Sequence, residues 1–566
     1  MGNATLAAAL DVRCERLGPL PLINQYLDRL GILPLLQRFV PRSRVRRSVD
    51  PAQALGVLLR SILVEREPIY RQQETVKLFS PGAFGLEAKD VRRLSDDALG
   101  RALDRLFDAD RATMLTELVV AVRKRFGVGF QELHNDSTSI KLTGQYAQAR
   151  GRSIRGRRAP WITYGYSKDH RPDLRQLMFI LTTSSDGGIP IQFRSGDGNL
   201  NDAKTHIETW EALSAVVGGP DFLYVADSKL CTRDNMDHID RRRGRFVTVL
   251  PRSRLEDAEF REWIQTHEPP WEEVWNRPNP RRKGGPRDLW RAFKYHLPSR
   301  EAWPVIWVSS TLLALAWDRS RRERLARADQ ELDKLRKKLE GPRPRTRPRV
   351  LQSVERILGM LHVDRYLKVE VKEVYEESFK QERPGRSGPD TRYRRIRRRR
   401  LKITWQVDEA KIAYDRKSDG MYPLLTNDRT LTPAQVLDAH KRQPTIEKRF
   451  EQTKTVHEIA PVLLKNEGRI EALFFMYFVA LLVQALIERD LRKAMKRENI
   501  AELPLYPEER GSRRPTTEQI LKLFSLAERH VVLHRGEPLK ICEPSLTDLQ
   551  REVLRLLGVP LAAYSA

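Results

Sequence analysis

Cysteine is scarce in this chain, and the few cysteines lie far apart. Cys14, Cys231 and Cys542 are the only three among 566 residues, and none belongs to a C-x-x-C pair. This spacing signals neither a zinc site nor a disulfide framework, and a reducing cytoplasm is the expected compartment. The N-terminus shows no charged segment followed by an apolar stretch and a cleavage site, so no export is expected.

Long apolar runs are also scarce. The longest, ALFFMYFVALLVQALI at 472–487, spans 16 residues, contains Gln484 and lies between Glu471 and Glu488. A helix that crosses a bilayer needs about 20 apolar residues. The sequence therefore predicts a buried core helix here and no membrane partner.

Acidic residues are in deficit. Lys and Arg number 102 against 75 Asp and Glu, which gives a formal net charge of +27. Such an excess is typically used to attract nucleic acid or an anionic membrane. Since a membrane span is not expected, we expect a nucleic-acid partner. A chain of this length is expected to form two to four domains.

The first part of the chain, 1–128, has apolar residues at helical spacing, as in LPLINQYLDRLGILPLLQRFV. Asp50 before Pro51 is a helix start, and Ser95 is a second candidate cap. We expect a helical N-terminal DNA-binding domain.

From residue 129 the pattern changes to strands. ELHNDSTSIKLTG, RQLMFILTTSSD and IPIQFRSGDG read as three successive strands, with a turn at 186–188 between the last two. A helix over 202–217 follows, and then the strands FLYVADSKL and RFVTVLPRS. This order predicts an α/β fold in which a mixed sheet is flanked by helices, with 129–251 as the first part of a catalytic core.

The stretch 252–405 is rich in Arg, Pro and Gly and is interpreted as a basic insertion domain. It contains a charged helix, two strand candidates and seven arginines between Arg392 and Arg400. Phosphate neutralisation is the favoured role for this run, in particular for Arg397, Arg398, Arg399 and Arg400. The core resumes over 406–499, and the tail 500–566 is assigned to dimerisation or DNA contact.

Three carboxylates are the candidate catalytic and metal-binding residues. Asp136 lies on the first strand, Asp227 at the carboxyl end of a buried strand, where ligands bind in open α/β sheets, and Glu447 on a later helix. Brought together, they could hold two Mg²⁺ ions, with Mn²⁺ as a substitute, for in-line displacement at a phosphodiester. Lys454, seven residues after Glu447, would lie on the same helical face. The apolar Ile446 and Phe450 beside Glu447 are expected to anchor this helix against the sheet.

These motifs resemble the DDE transposases of bacterial insertion sequences, in the insertion-sequence 4 superfamily. Glu447 and Lys454 match the E and K of the family's Y-(2)-R-(3)-E-(6)-K signature, whereas His440 and Gln443 stand where it has Tyr and Arg. NDSTS and VADSKL look like the two Asp motifs, and SKDHRPDLRQL is similar to the 1634 type. The resemblance implies an RNase H-like catalytic domain, with DNA contacts at His440, Gln443 and Lys454.

Each assignment has an alternative. Asp136 could be a turn or capping residue, Asp227 a helix cap and Glu447 an exposed helical charge. His134 is interpreted as a buried structural residue. Four other aspartates are interpreted as turn formers or substrate-facing residues: Asp169, Asp173, Asp197 and Asp202. Two tryptophans in the insertion, Trp303 and Trp307, are expected to pack in a core rather than to stack on an unpaired base.

Three functions remain open at this stage. The first is a transposase that binds the terminal inverted repeats of its element in double-stranded DNA, cuts beside them and joins the 3′-OH to target DNA, as a homodimer on paired ends. The second is a nuclease of the same fold without strand transfer. The third is a DNA-binding relative that has lost catalysis.

Overall fold

The structure is a computed structural model. It describes residues 10–565 except 43–48, 66, 147, 169–170, 280–281, 283, 342–344, 458, 460–463, 507 and 509. The chain divides into two compact units, one formed by 1–248 together with 438–566 and the other by 249–437. The first division lies within a few residues of the predicted boundary at 251/252. The helical N-terminus and the C-terminal tail belong to the same unit as the strands predicted over 129–251, and the finer five-part division stays a prediction.

The strands of the described residues are labelled β1 to β16 in chain order. They are Leu10–Arg16, Glu132–Leu142, Ser153–Ile154, Arg157–Arg158, Arg175–Ser184, Ile189–Gly196, Leu223–Ala226, Arg245–Val249, Glu272–Arg277, Asp288–Lys294, Val305–Ser310, Leu367–Gln381, Tyr393–Val407, Met421–Thr426, Glu528–His534 and Glu537–Cys542.

The α-helices carry no labels and are named by their bounds. In 1–248 they are Leu20–Leu30, Ile32–Phe39, Pro51–Val64, Gln72–Lys77, Ala88–Val91, Asp96–Asp108, Arg111–Phe126, His206–Val217 and Arg233–Arg241; in 249–437 they are Leu255–Trp263, Thr311–Glu340, Arg347–Leu361 and Glu409–Arg416. Pro433–Arg442 spans the second division, and Pro444–Glu451, Glu467–Arg497, Thr517–Leu523 and Asp548–Leu557 follow it.

The sheet of the discontinuous unit is mixed and flanked by helices, as predicted. Its strand order is β6-β5-β2-β7-β8. The pairs β2–β5 and β5–β6 are antiparallel, whereas β7 runs parallel to β2 and β8 parallel to β7. Three antiparallel strands followed by two that lie parallel to the first form the RNase H-like arrangement. The parallel pairs are buried on both faces, in keeping with the continuous apolar run of β7.

The hairpin between β5 and β6 turns at Asp186-Gly187-Gly188, as predicted. Both glycines have positive φ, at 87° and 65°, which residues with a side chain rarely adopt. The predicted helix over 202–217 begins later than expected, at His206, because Asp202–Lys204 forms a separate 3₁₀ turn.

The apolar run 472–487 is buried throughout, within the helix Glu467–Arg497. This helix is long and apolar enough to cross a membrane, but 94% of its most apolar 18-residue stretch is buried inside the protein. It packs against Pro51–Val64, Asp96–Asp108 and strand β6. The interpretation as a core helix is therefore confirmed, and this helix joins the N-terminal helices to the sheet.

Strand β1 was not predicted, because 1–128 was interpreted as wholly helical. It pairs antiparallel with β15, which pairs with β16, and the three form a small separate sheet. Besides β15 and β16, the tail 500–566 contains the helices Thr517–Leu523 and Asp548–Leu557. A pairing between segments at opposite ends of the chain leaves no local signal in the sequence.

The unit 249–437 contains a four-stranded array in the order β14-β11-β10-β9 and a long two-stranded ribbon, β12–β13. The base of the ribbon packs on Thr311–Glu340 and Arg347–Leu361 through a core that includes Leu332, Val354, Val371 and Ile403. Trp307 is fully buried and stacks on Phe260 with ring centroids 3.5 Å apart, and Trp303 is buried. Core packing of both tryptophans is therefore confirmed.

Candidate active site

Asp136 and Asp227 are neighbours on adjacent parallel strands. The register of β2 and β7 places Asn135 beside Ala226, so the next residue of each chain segment, Asp136 and Asp227, occupies the next position. Adjacent strands lie about 4.8 Å apart, and Asp227 follows the carboxyl end of β7 as the sequence predicts. The structure therefore brings two of the three predicted carboxylates together.

A third aspartate joins them, and the sequence interpretation treated it as a turn former or a substrate-facing residue. Asp202 begins the 3₁₀ turn after β6, and its Oδ1 accepts a hydrogen bond of 2.7 Å from Ser137 Oγ. No pattern in the sequence distinguishes Asp202 from the other three loop aspartates. Its position depends on the path of a loop, which has no regular residue spacing. Asp173 and Asp197 instead form ion pairs with Arg171 and Arg158, and Asp169 lies outside the described residues.

A lysine lies among these carboxylates. Lys168 Nζ is 3.3 Å from Asp202 Oδ2 and 3.6 Å from Asp136 Oδ1, and it donates to Ser137 O at 2.5 Å. Burial disfavours its charge, but Asp136 and Asp202 outweigh that effect, so the pKa of Lys168 is raised. The cluster therefore holds a positive charge. Sequence reasoning missed Lys168, which stands in an irregular loop.

The electrostatics show how closely the carboxylates interact. Burial, with a contribution from the charges of Asp227 and Asp202 and against the opposing charge of Lys168, raises the pKa of Asp136 to about 6. Burial also raises the pKa of Asp227, with a contribution from Asp202. Desolvated like charges disfavour ionisation, so a cation bound here would relieve their repulsion.

The donor set fits a hard divalent cation. The three aspartates offer oxygen ligands, which Mg²⁺ prefers, and the ammonium of Lys168 lies beside two of them. The ligand oxygens of the three aspartates do not all lie within 4.8 Å of one another. The three carboxylates therefore cannot all ligate one ion directly in this arrangement, and an ion here would be held by fewer of them together with water.

The helix Pro444–Glu451 packs against β2, which is the strand that carries Asp136, and against the adjacent strand β5. Ile446 and Phe450 are buried on it, as predicted, whereas Glu447 is exposed. The buried guanidinium of Arg449 donates to the carbonyl oxygens of Gly188 and Gly187, at 2.9 Å each. The helix that carries Glu447 is thus fixed to the hairpin between β5 and β6.

The prediction that Lys454 lies on the same helical face as Glu447 assumed a regular α-helix, and that assumption is wrong. Gln452–Val456 is a π-helical turn, so the seven-residue spacing does not correspond to two regular α-turns. Thr453 Oγ1 donates a hydrogen bond to the carbonyl oxygen of Arg449, and Thr455 Oγ1 donates one to that of Glu451, in each case four residues earlier. Such π-turns are frequent at functional sites.

The two other signature positions lie just before this helix. His440 is largely buried, and burial, together with the charge of Lys441, lowers its pKa to about 4, so it is neutral at pH 7. Gln443 links Pro433–Arg442 to Pro444–Glu451. Next to them, Arg442 forms two hydrogen bonds of 2.6 Å with Glu132 at the start of β2. Glu132 in turn bonds the buried His134, which agrees with a structural role for that histidine.

The arginine run forms strand β13 of the ribbon. Residues 367–407 carry 13 basic and 6 acidic residues, and the strands pair over their whole length. Arg399 and Arg400 form ion pairs with Glu373 and Glu376. Arg397 lies over the ring of the exposed Tyr375, 4.2 Å from its centroid, and Arg398 is exposed. The run therefore forms an exposed ribbon that combines arginines with aromatic rings.

A cavity of about 530 Å³ lies elsewhere in 249–437. Its lining includes five arginines and three aromatic residues: Arg252, Arg261, Arg321, Arg324, Arg365, Trp317, Tyr366 and Tyr414. Burial and the positive charge of Arg261 lower the pKa of Arg252. The unit 249–437 as a whole has 43 basic and 28 acidic residues, so it carries +15 of the net charge of +27.

Comparison with known proteins places few constraints on this chain. No family model matches it, and no curated protein matches it. Among solved structures, it is similar to a piggyBac transposase in a synaptic complex with hairpin DNA, determined by cryo-electron microscopy. The similarity covers 81% of this chain and 74% of that chain, with 10% sequence identity and a TM-score of 0.35. A similarity this distant carries no argument, so any conclusion about function rests on the site itself.

Proposed function

We propose that this protein is a DNA transposase of the insertion-sequence 4 superfamily, 1634-like type. It binds the terminal inverted repeats of its element, cleaves the phosphodiester beside them and joins the freed 3′-OH to target DNA. The observation that carries the proposal is the register of β2 and β7, which aligns Asp136 with Asp227 at the carboxyl end of a buried strand. The strongly basic unit 249–437 supports a polyanionic substrate.

Asp136 and Asp227 are the residues that would hold Mg²⁺ ions, with Glu447 completing the set from its helix. Bound divalent ions would activate the attacking oxygen and stabilise the leaving oxygen. In cleavage, water attacks phosphorus and the bond to the 3′ oxygen breaks; in joining, the 3′-OH attacks and a bond in the target breaks. Lys168 supplies a positive charge beside the aspartates, and Lys454 lies on the turn that follows the Glu447 helix.

The DNA-binding residues of the proposal include the arginines of the ribbon. Arg397, Arg398, Arg399 and Arg400 supply contacts to phosphates that do not depend on sequence. We further propose a cytoplasmic protein that works as a homodimer on paired ends, since two ends must be joined in one event.

The test is a supercoiled plasmid that carries the repeats flanking the element. With Mg²⁺ or Mn²⁺, the wild type should nick and cut it, and Asp136→Ala and Asp227→Ala should abolish cutting while leaving DNA binding within a few-fold. Asp173→Ala is the matched control, because Asp173 is exposed and pairs with Arg171. Near-normal cutting by either active-site variant would refute its assignment.

The same assay separates the competing functions. Joining of a cut end to a second duplex distinguishes a transposase from a nuclease of this fold. Binding of the repeats without any metal-dependent cutting would identify a DNA-binding relative that has lost catalysis.

A further inference from the structure

Two of the three cysteines lie in one row of the small sheet β1-β15-β16. The register pairs Cys14 with His530 and His530 with Cys542. Residues directly opposite each other on neighbouring strands project from the same face. The row therefore runs from Cys14 through His530 to Cys542, although the two cysteines stand near opposite ends of the sequence.

The side chains of this row converge on a nearby carboxylate. Cys14 Sγ donates to Glu528 Oε2 at 3.1 Å, and His530 Nε2 lies 3.9 Å from Glu528 Oε1. Of the residues that the structure describes, Cys14, Glu528 and His530 are the one group of three or more such side chains whose ligand atoms all lie within 4.8 Å of one another. All three are exposed, so an ion could reach them without unfolding the sheet.

Neither packing nor disulfide formation accounts for this arrangement. Cysteine is among the most often buried residue types, and Cys231 is buried, yet Cys14 is exposed. Cys14 and Cys542 are two strands apart, or about 10 Å at a spacing of about 4.8 Å per strand. A disulfide needs Cα atoms within about 7 Å, so these thiols cannot bond to each other.

We propose that Cys14, Glu528 and His530 are the ligands of a zinc site. Zn²⁺ takes Cys sulfur at about 2.3 Å and His nitrogen at about 2.0 Å, and a site with three side-chain ligands keeps water in the fourth position. The Cys14 thiol loses its proton to solvent on binding, and neutral His530 binds through its free lone pair. A thiolate ligand excludes Mg²⁺, which prefers oxygen. The ion would hold β1 to β15.

Cobalt titration of the metal-free, reduced full-length chain tests the site. Co²⁺ bound by thiolates gives a charge-transfer absorption, which should saturate at one ion per chain, disappear on addition of Zn²⁺ and be unaffected by Mg²⁺. Cys14→Ser should weaken zinc binding by at least about 100-fold, since even the partners that orient a metal ligand contribute about 10–100-fold. Cys231→Ser is the matched control and should bind as the wild type does.

Thermal unfolding gives a second readout that does not depend on colour. Zn²⁺ should raise the Tm of the wild type and of Cys231→Ser, but not that of Cys14→Ser or His530→Ala. Absence of the charge-transfer band in the wild type, or an unchanged band in Cys14→Ser, would overturn the site. Cys542→Ser should leave the band unchanged, because Cys542 lies two strands from Cys14, too far for both sulfurs to bind one ion. Cleavage of DNA with Mg²⁺ is a separate measurement, so the zinc site and the proposed function can fail independently.

Discussion

Arg449 and Glu488 form a buried ion pair, with Arg449 Nη1 2.9 Å from Glu488 Oε2. Both side chains are at most 2% exposed. Gln452 bonds both partners, accepting from Arg449 Nη1 at 2.6 Å and donating to Glu488 at 3.0 Å. Burial raises the pKa of Glu488, but the charges of Arg449 and Arg492 outweigh it, so the pKa is lowered overall. This pair ties the Glu447 helix to the central helix Glu467–Arg497.

Arg449→Met should destabilise the protein by up to about 3–5 kcal/mol, because it removes the shorter of the two ion pairs of the buried Glu488 and leaves Arg492, at 3.4 Å, as its ion-pair partner. The double variant Arg449→Met/Glu488→Met should recover most of that loss, since an apolar pair of similar size removes both charges. Denaturant unfolding measures the two changes. Lys448→Met, on the same helix but partly exposed, is the control and should change stability by less than about 1 kcal/mol. A double variant as unstable as the single one would contradict this account.

Asp202→Asn should lower DNA cleavage by about 10–100-fold, the range typical of groups that support a metal ligand. The reason is that Asp202 accepts from Ser137 and lies beside Lys168. DNA binding should stay within a few-fold, because an aspartate does not attract phosphate. Cleavage rates and gel-shift binding measure the two effects. Asp197→Asn, whose carboxylate accepts from Trp161 N in a loop, should cleave at nearly the normal rate; equal losses in both variants would argue for a general effect of loop changes.

Glu447→Gln should lose both cleavage and strand transfer, and Mn²⁺ should restore little. Glu451→Gln should keep most activity, because exposed helical ion pairs contribute only about 0.3–0.5 kcal/mol. Both glutamates are exposed on the same helix, so each variant controls for the other. One pre-cut and one uncut DNA substrate distinguish joining from cleavage. If Glu451→Gln is the inactive variant, the catalytic glutamate is one turn further along the helix.

The ribbon arginines should differ in their contribution to DNA binding. Arg397→Ser/Arg398→Ser should reduce the slope of log K against log salt by about 2, since each phosphate contact contributes about 0.9. Arg399→Ser/Arg400→Ser should reduce it less, because those two side chains are engaged by Glu373 and Glu376. Binding measured over a range of salt concentrations gives both slopes. An unchanged slope in the first variant would show that the ribbon does not contact DNA.

His206 should make stability depend on pH. Burial lowers its pKa to about 4, and its Nδ1 lies 3.0 Å from the hydroxyl of Tyr224. Because the unfolded state takes up a proton near pH 6.5 and the folded state near pH 4, stability is full above about pH 6.5 and falls as pH drops toward 4. The loss should reach about 3 kcal/mol. His206→Gln should flatten that part of the profile measured by unfolding at several pH values; an equally steep profile would exclude His206 as the cause.

The sequence predicts the parts of the site that follow from strand periodicity. Asp136 and Asp227 could be placed because carboxyl ends of parallel strands meet at one edge of a sheet. Ile446 and Phe450 were expected on the buried side of their helix because apolar spacing reveals the packed face. The mixed sheet flanked by helices follows from the same strand and helix order.

What the sequence does not reveal depends on loops and on contacts between distant residues. Lys168 and Asp202 reach the aspartates from irregular segments, for which no period exists. The π-turn at Gln452–Val456 shifts Lys454 relative to Glu447. The sequence does not reveal this shift, because the seven-residue spacing predicts a shared face only in a regular α-helix. The row of Cys14, His530 and Cys542 depends on a pairing between strands from opposite ends of the sequence, which no local pattern predicts.

That pairing has a consequence for biosynthesis. Cys14 in β1 contacts Glu528 in β15, 514 residues further along the chain. At a synthesis rate of about 5–20 residues per second, β1 waits on the order of half a minute to two minutes for its partner strand. The unit 249–437 is continuous in sequence and can fold during that interval. The exposed Leu10 and Val12 of β1 therefore stay without their neighbouring strand until translation is almost finished.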